Sequence, residues 1–402
     1  MTDCKVVLHG TLIDGTGAGP VADSAVLIRG DRVEAVGKVG QLPVPDGAQI
    51  IDASGKTIMP GLIEGHAHVG GDLKQVKLLR LSLQRGITTI CDVAANLSGL
   101  KLRDAVAAGC VRGAARLIAG CIVTCTHGHV KGRTADGPWE IRKAVREMVL
   151  AGADFIKTAA SGGFWAANET CSSPNYTYEE LQALTDEAHA WGVPVVVHCH
   201  TQPGLNNCIR AGIDQIHHGA FIDEAAVRGI KEKGLVYTPT LAVTCDRNIA
   251  ALADQPWQTK EMIEAQPIHR KGVRLAHEIG VRLGVGCDYP GTPKGWRIGD
   301  RTLFELQELV RCGLSPMEAV VAATRTNAEA YGKLKDLGTL EPGKKADLLI
   351  VNGNPLDGIA TLYPSESIAL VLKDGVVEYT DEAHKQYYRV ADDQPAERSH
   401  LD

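Results

Sequence analysis

"EIRKAVREMVLAGADFIKTAA", residues 140–160, reads as a helix, a glycine and then a buried strand. The same unit recurs along the middle of the chain. From about residue 73, "DLKQVKLLRLSLQRG" leads into "ITTICDV", and later come "YEELQALTDEAHAWGVPVVVHC", "DEAAVRGIKEKGLVYTPT" and "KGVRLAHEIGVRLGVGCD". About eight such repeats are the pattern of a parallel barrel. An open doubly wound sheet would give similar local patterns, so the repeat narrows the fold to an α/β class without closing the ring.

The two ends of the chain have a different grain. "CKVVLHGTLIDG", "SAVLIRGDRVEAVG" and "AQIIDASGKTIMP" read as short alternating strands with turns, as do "GTLEPGKKADLLIVNG" and "IALVLKDGVVEY" after residue 338. The expected architecture is a (β/α)8 TIM-like barrel over 61–337 inserted in a small β-sandwich made from 1–60 and 338–402. The tail "DDQPAERSHLD" is polar and expected to be mobile.

Composition removes several classes of partner. In 402 residues, 42 Lys and Arg stand against 48 Asp and Glu for a formal charge of −6, with no basic run to grip nucleic acid or an anionic membrane. A small molecule is the expected partner. No stretch reaches the roughly 18 apolar residues of a membrane span, and "MTDCKVVLHG" lacks a secretory signal's pattern, so a cytoplasmic location is expected. The 11 cysteines are odd in number, lie mostly in apolar settings and form no CxxC pairs, which reads as buried reduced thiols. Barrels of this kind often associate, so a homo-oligomer is compatible with the sequence.

In a barrel, chemistry sits at the C-terminal ends of the strands. Those ends carry His66 and His68 in "GLIEGHAHVG", His127 and His129 in "TCTHGHV", Lys157 in "DFIKTAASGG", His198 and His200 in "VVVHCH", His217 and His218 in "IDQIHHG", and Asp288 in "LGVGCDYPG". Residues two apart on a strand share a face, so His66 and His68 would lie side by side. Each histidine alone is compatible with a hydrogen-bonded structural role. The ordered series is what points to a metal.

With this series in view, the chain resembles the amidohydrolase superfamily of metal-dependent hydrolases, from "PGLIEGHAH" to "GTLEPGKKADLLIV". Within it, "ADGPWEIRKAVREMVLAGADFIKTAASGG" and "AGIDQIHHG" look like the subgroup of Xaa-Pro dipeptidases, related carboxypeptidases and ochratoxin-hydrolysing amidases. That subgroup usually has Glu-His-Gly on strand six, which aligns with His217-His218-Gly219, so the ligand carried over is His218 and His217 departs from the pattern. The resemblance implies two divalent ions, with zinc the first expectation. One would be held by His66, His68, Asp288 and a carbamate on Lys157, the other by that carbamate with His198 and His218. It also implies a bridging hydroxide as attacking group and Asp288 as the acceptor and donor of its proton. Desolvation would supply the neutral amine that carbamylation of Lys157 needs.

Around this centre, His127 is expected to touch the substrate carbonyl, with His129 in a supporting or loop position and His200 as a pocket group. Trp165, Tyr289, Trp296 and Arg297 lie in mouth loops and could wall the substrate. Lys131, Arg133 and Arg297 are the candidate cations for a substrate carboxylate. The expected reaction is hydrolysis of a linear amide, of a peptide or N-acyl amino acid. The alternatives are an aromatic amide, carbamate or urea as substrate, or a barrel that has lost its chemistry and serves as a scaffold.

Overall fold

The computed structural model describes residues 4–72, 74–289 and 296–387; the polar tail lies outside them. Five strands open the chain: β1 (Cys4–Leu12), β2 (Val21–Arg29), β3 (Arg32–Lys38), β4 (Gln49–Asp52) and β5 (Lys56–Pro60). The middle holds β6 (Leu62–Ala67), β7 (Ile87–Ala95), β8 (Arg116–Thr124), the short β9 (Arg133–Thr134), β10 (Phe155–Ala159), β11 (Val195–Cys199), β12 (Gln215–His218), β13 (Val236–Thr238) and β14 (Arg282–Leu283). Three strands, β15 (Leu348–Asn352), β16 (Ile368–Lys373) and β17 (Val376–Thr380), follow.

The 140–160 stretch behaves as its pattern demands. Its helix, Pro138–Leu150, buries Ile141, Ala144 and Val145, and the chain then turns through Gly152 at φ +90°, a conformation that glycine adopts without a Cβ clash. All five residues of β10 are buried, as befits a parallel strand covered on both faces. Repetition of this unit lays β6, β7, β8, β10, β11, β12, β13 and β14 side by side, with β9 attached to β8. The ring closes. Gly65 N–H donates to the Val285 carbonyl and His68 N–H to that of Tyr289, both at 2.9 Å, so the chain beyond β14 pairs with β6. That seam makes a barrel of what could have been an open sheet.

The strands from the two chain ends form one continuous mixed sheet in the order β17-β16-β15-β5-β1-β2-β3, with β4 also on β1. β15 runs antiparallel to β5, Leu349 opposite Met59 and Ile350 opposite Ile58. The early residues of β1 pair with β4 and its last two with β5, so the sheet bends about β1 around a core that includes Val7, Val26, Ile51, Leu348 and Leu370. Arg116, at the start of β8, links sheet to barrel: it pairs with Asp347 and, at 2.6 Å, with Asp374. All eleven cysteines are free, nine of them buried. Among the described residues no helix is long and apolar enough to cross a membrane.

Removing Arg116 strands the buried Asp347 carboxylate at this junction, while Asp374 keeps Lys345 and Lys373. Arg116→Met should lower unfolding stability by about 2–4 kcal/mol in denaturant titration. A loss under about 0.5 kcal/mol would mean the pairing is merely a solvated surface bridge.

Candidate metal centre and its mouth

Three imidazoles at the strand ends, His66, His198 and His218, each have one nitrogen hydrogen-bonded by the protein, and a fourth, His217, has both. His66 Nδ1 lies 2.6 Å from Nδ1 of His217, whose Nε2 is 3.3 Å from the Gln215 side-chain oxygen. Gln215 in turn donates its amide N–H to the Ala330 carbonyl at 2.9 Å, which fixes the amide's orientation. The chain of donors therefore runs from His66 Nδ1–H to His217 and from His217 Nε2–H to Gln215, leaving the lone pair of His66 Nε2 available. His198 donates through Nε2 to the Gly162 carbonyl at 3.0 Å, leaving Nδ1, and His218 Nδ1 meets Thr240 Oγ1 at 2.7 Å, leaving Nε2. Such outer contacts orient ligating histidines. Burial pushes His66, His198 and His218 well below the usual histidine range, which keeps them neutral, the form that binds a cation.

Asp288 faces the first pair, its Oδ1 3.0 Å from His68 Nε2 and 3.4 Å from His66 Nε2. The ligand atoms of these three residues lie within 4.8 Å of one another. His218 (φ +75°), Thr240 (φ +55°) and Asp288 (φ +51°) hold left-handed backbone conformations at the strand ends, a local strain that concentrates at functional sites. Glu64 braces the arrangement: its carboxylate accepts from His66 N–H at 2.7 Å, Cys287 N–H at 2.9 Å and Thr302 Oγ1 at 2.7 Å. Burial pushes the Glu64 carboxyl up while these bonds pull it down.

Lys157 Nζ is buried in the middle of β10 and, among the described residues, has no hydrogen-bond partner. Burial lowers its pKa from 10.5 to about 7, with Asp288 opposing the shift. An orphaned amine among neutral imidazoles and one carboxylate is a poor structural element and a good precursor of an anionic ligand. The donor set, imidazole and carboxylate, suits zinc and similar divalent ions. A cavity of about 370 Å³ is lined by His66, His68, Lys157, His198, His218 and Asp288, so the six expected ligand positions meet in one place.

The mouth differs from expectation. His127 is exposed, because β8 ends at Thr124 and the chain turns at His127 (φ +61°), which breaks the two-residue alternation that would have aimed it inward. His129 lines the cavity in its place, stacked 4.0 Å from the His198 ring and bonded through Nδ1 to Glu169 at 2.8 Å. His200 is buried against the rings of His198, His218 and Phe164 and does not line the cavity. Tyr289 belongs to the apolar core, since its backbone is committed to the barrel seam. Arg297 is exposed away from the lining, Trp296 is buried, and Arg133 is paired with Glu140 and Glu147. Trp165 and Lys131 do line the cavity. Glu64, Gln215, Thr240 and Glu169 were not picked out from sequence. Of these only Glu64, an acid inside "GLIEGHAH", left a visible signal.

A closed parallel barrel with this cluster at the strand C-termini is the frame of a metal-dependent hydrolase. The sequence profile of the amidohydrolase family matches residues 57–377, and the chain belongs to that family. Aspergillus niger ochratoxinase is 27% identical over 92% of this chain and 85% of its own length. A solved Xaa-Pro dipeptidase with methionine bound in its active site is 27% identical, with a TM-score of 0.83 over 94% of this chain and all of the other. A prolidase solved with N-methylphosphonate-L-proline is 26% identical, with a TM-score of 0.81 over 93% and 99%.

Gly163 tests the packing of His129. An added Cβ would lie 2.5 Å from His129 Cε1 and 3.1 Å from His198 Cε1. Gly163→Ala should therefore cut kcat about 10–100-fold by displacing both rings, with melting temperature little changed. Unaltered kcat would show that the loop absorbs the methyl group.

Proposed function

We propose that the protein is a binuclear metal-dependent hydrolase of linear amide bonds, in peptides or N-acyl amino acids. The observation that carries this reading is the orphaned Lys157 amine, its pKa lowered to about 7, in one cavity with five imidazoles and Asp288. His66, His68 and Asp288 would hold one ion and His198 and His218 the other, with a Lys157 carbamate shared between them. Bound there, two divalent cations would supply Lewis acidity and lower the pKa of a water toward neutrality.

The residues of the chain do the rest. Asp288, held ionised by its bond to His68, accepts the proton of the attacking water and returns it to the leaving amine. His129, oriented by Glu169 through Nδ1, presents Nε2 to the carbonyl oxygen, the role first expected of His127. Trp165 walls the acyl side. Lys131, the one of three candidate cations that lines the cavity, is exposed and draws a carboxylate toward the mouth. The relatives support a carboxylate-bearing substrate, since one is solved with methionine and one with a proline derivative.

A screen of Xaa-Pro dipeptides, N-acyl amino acids, aryl amides and aryl carbamates tests the reading, and turnover confined to aryl carbamates would overturn it. Asp288→Asn should lower kcat by about 10³-fold or more on any substrate that is cleaved. Lys157 gives a pH signature. Carbamylation needs the neutral amine, so with the Lys157 pKa at about 7 the rate of zinc loading at fixed dissolved CO2 should rise about tenfold between pH 6 and 8 and then level off. An unshifted lysine would instead keep climbing about tenfold per pH unit through pH 9.

A further inference from the structure

The cavity has a second side, apart from the six expected ligands. Ala94, Ile122, Val130 and Trp165 line it there, and among the described lining residues Asp288 is the one acid. Ala94, Ile122 and Val130 offer carbon alone, so a charged group entering between them would give up water and find no partner.

The placing of Ala94 is built into β7. Asp92 stands opposite Ala119 on β8, but the next pair is Ala95 with Cys121, so three steps on β7 match two on β8. Such a bulge re-aims the side chains beside it. Cys91 and Val93 pack inside the barrel with Ile63 and Ile118, whereas Ala95 packs against Leu100 of a covering helix, so Ala94 is the residue that turns to the cavity. Asp92 pins this conformation. Its Oδ1 accepts from Val69 N–H and Ala94 N–H and its Oδ2 from Gly70 N–H, each at 3.0 Å. On β8, Ile122 stands opposite Lys157, and the chain beyond it returns so closely that a Cβ on Gly132 would lie 2.5 Å from Ile122 Cβ. A small residue on a pinned bulge beside a clamped isoleucine leaves a pocket of fixed depth next to the metal-binding amine.

We propose that Ala94, Ile122 and Val130 form the acyl subsite and that Ala94 sets its depth, so that the amides cleaved carry an apolar acyl chain or ring without an α-amine. The assignment rests on the function proposed above and narrows it from peptides with a free amino end to N-acylated substrates. An α-ammonium would meet carbon on this side, and the one lining carboxylate is committed to the candidate metal centre.

Alkyl hydroxamates test the subsite without turnover, because the hydroxamate head chelates a divalent ion and the tail takes the place of the acyl chain. In calorimetric titration of the zinc-loaded protein, affinity should rise about threefold per methylene from acetohydroxamate to hexanohydroxamate. Hexanohydroxamate should also bind about tenfold tighter than L-norleucine hydroxamate, which differs by its α-amine alone. Ala94→Leu should flatten the gain with chain length, Ala94→Val should reduce it, and Ile122→Ala should carry it on to octanohydroxamate. A gain unchanged in both Ala94 variants would overturn the subsite, and so would acetohydroxamate and hexanohydroxamate weakened alike. Norleucine hydroxamate binding as tightly as hexanohydroxamate would overturn the exclusion of an α-amine. Ala94→Val, a milder change at a half-buried position, decides the matter even if Ala94→Leu fails to fold. A gain with chain length that Ala94→Leu removes, in a protein that turns over no amide, would count against the proposed function and leave the subsite standing.

Discussion

The closing seam of the barrel is the constraint on which the site depends. β6 carries His66 and leads directly into His68, and Asp288 follows β14, so these residues meet only because the chain over 285–289 hydrogen-bonds to 65–68. Glu64 reinforces the seam from within, its one carboxylate reaching β6, Cys287 and Thr302. Buried charge of this kind is expensive unless satisfied, and three donors satisfy it. A loosened seam would separate His66 and His68 from Asp288 before it disturbed any other part of the ring.

The same economy governs the imidazoles. His66, His198 and His218 face one cavity, yet each is oriented by a different partner: a histidine backed by an amide, a backbone carbonyl and a threonine hydroxyl. The protein thus sets which nitrogen faces the cavity by what it places behind each ring. His217 fits this logic. Where the related subgroup usually has glutamate, this chain has an imidazole that is neutral by burial and anchored by Gln215, and it can still accept from His66.

Much of this was legible in the chain because strands and helices have periods. The helix-glycine-strand repeat gave the α/β class, position at a strand's end gave the series of histidines with Lys157 and Asp288, and only the family resemblance singled out His66, His68, Lys157, His198, His218 and Asp288 as the expected ligands. Loops have no period, and there the reading failed. His127 and His129 have the spacing of a strand pair but sit past the end of β8, where a turn reverses which of them looks inward. Tyr289 looked like a mouth aromatic, yet pairing of its backbone with β6 drew it into the core.

Glu64 and Cys287, joined by one hydrogen bond, are 223 residues apart in the chain. During synthesis, β6 emerges early and must wait as an unpaired edge until the eighth repeat has left the ribosome, and the end sheet likewise waits for β15 to reach β5. The order of translation therefore leaves the first half of the candidate metal site exposed longest. A ribosome stalled anywhere in the barrel would release a chain with two histidines in place and no carboxylate to complete the set.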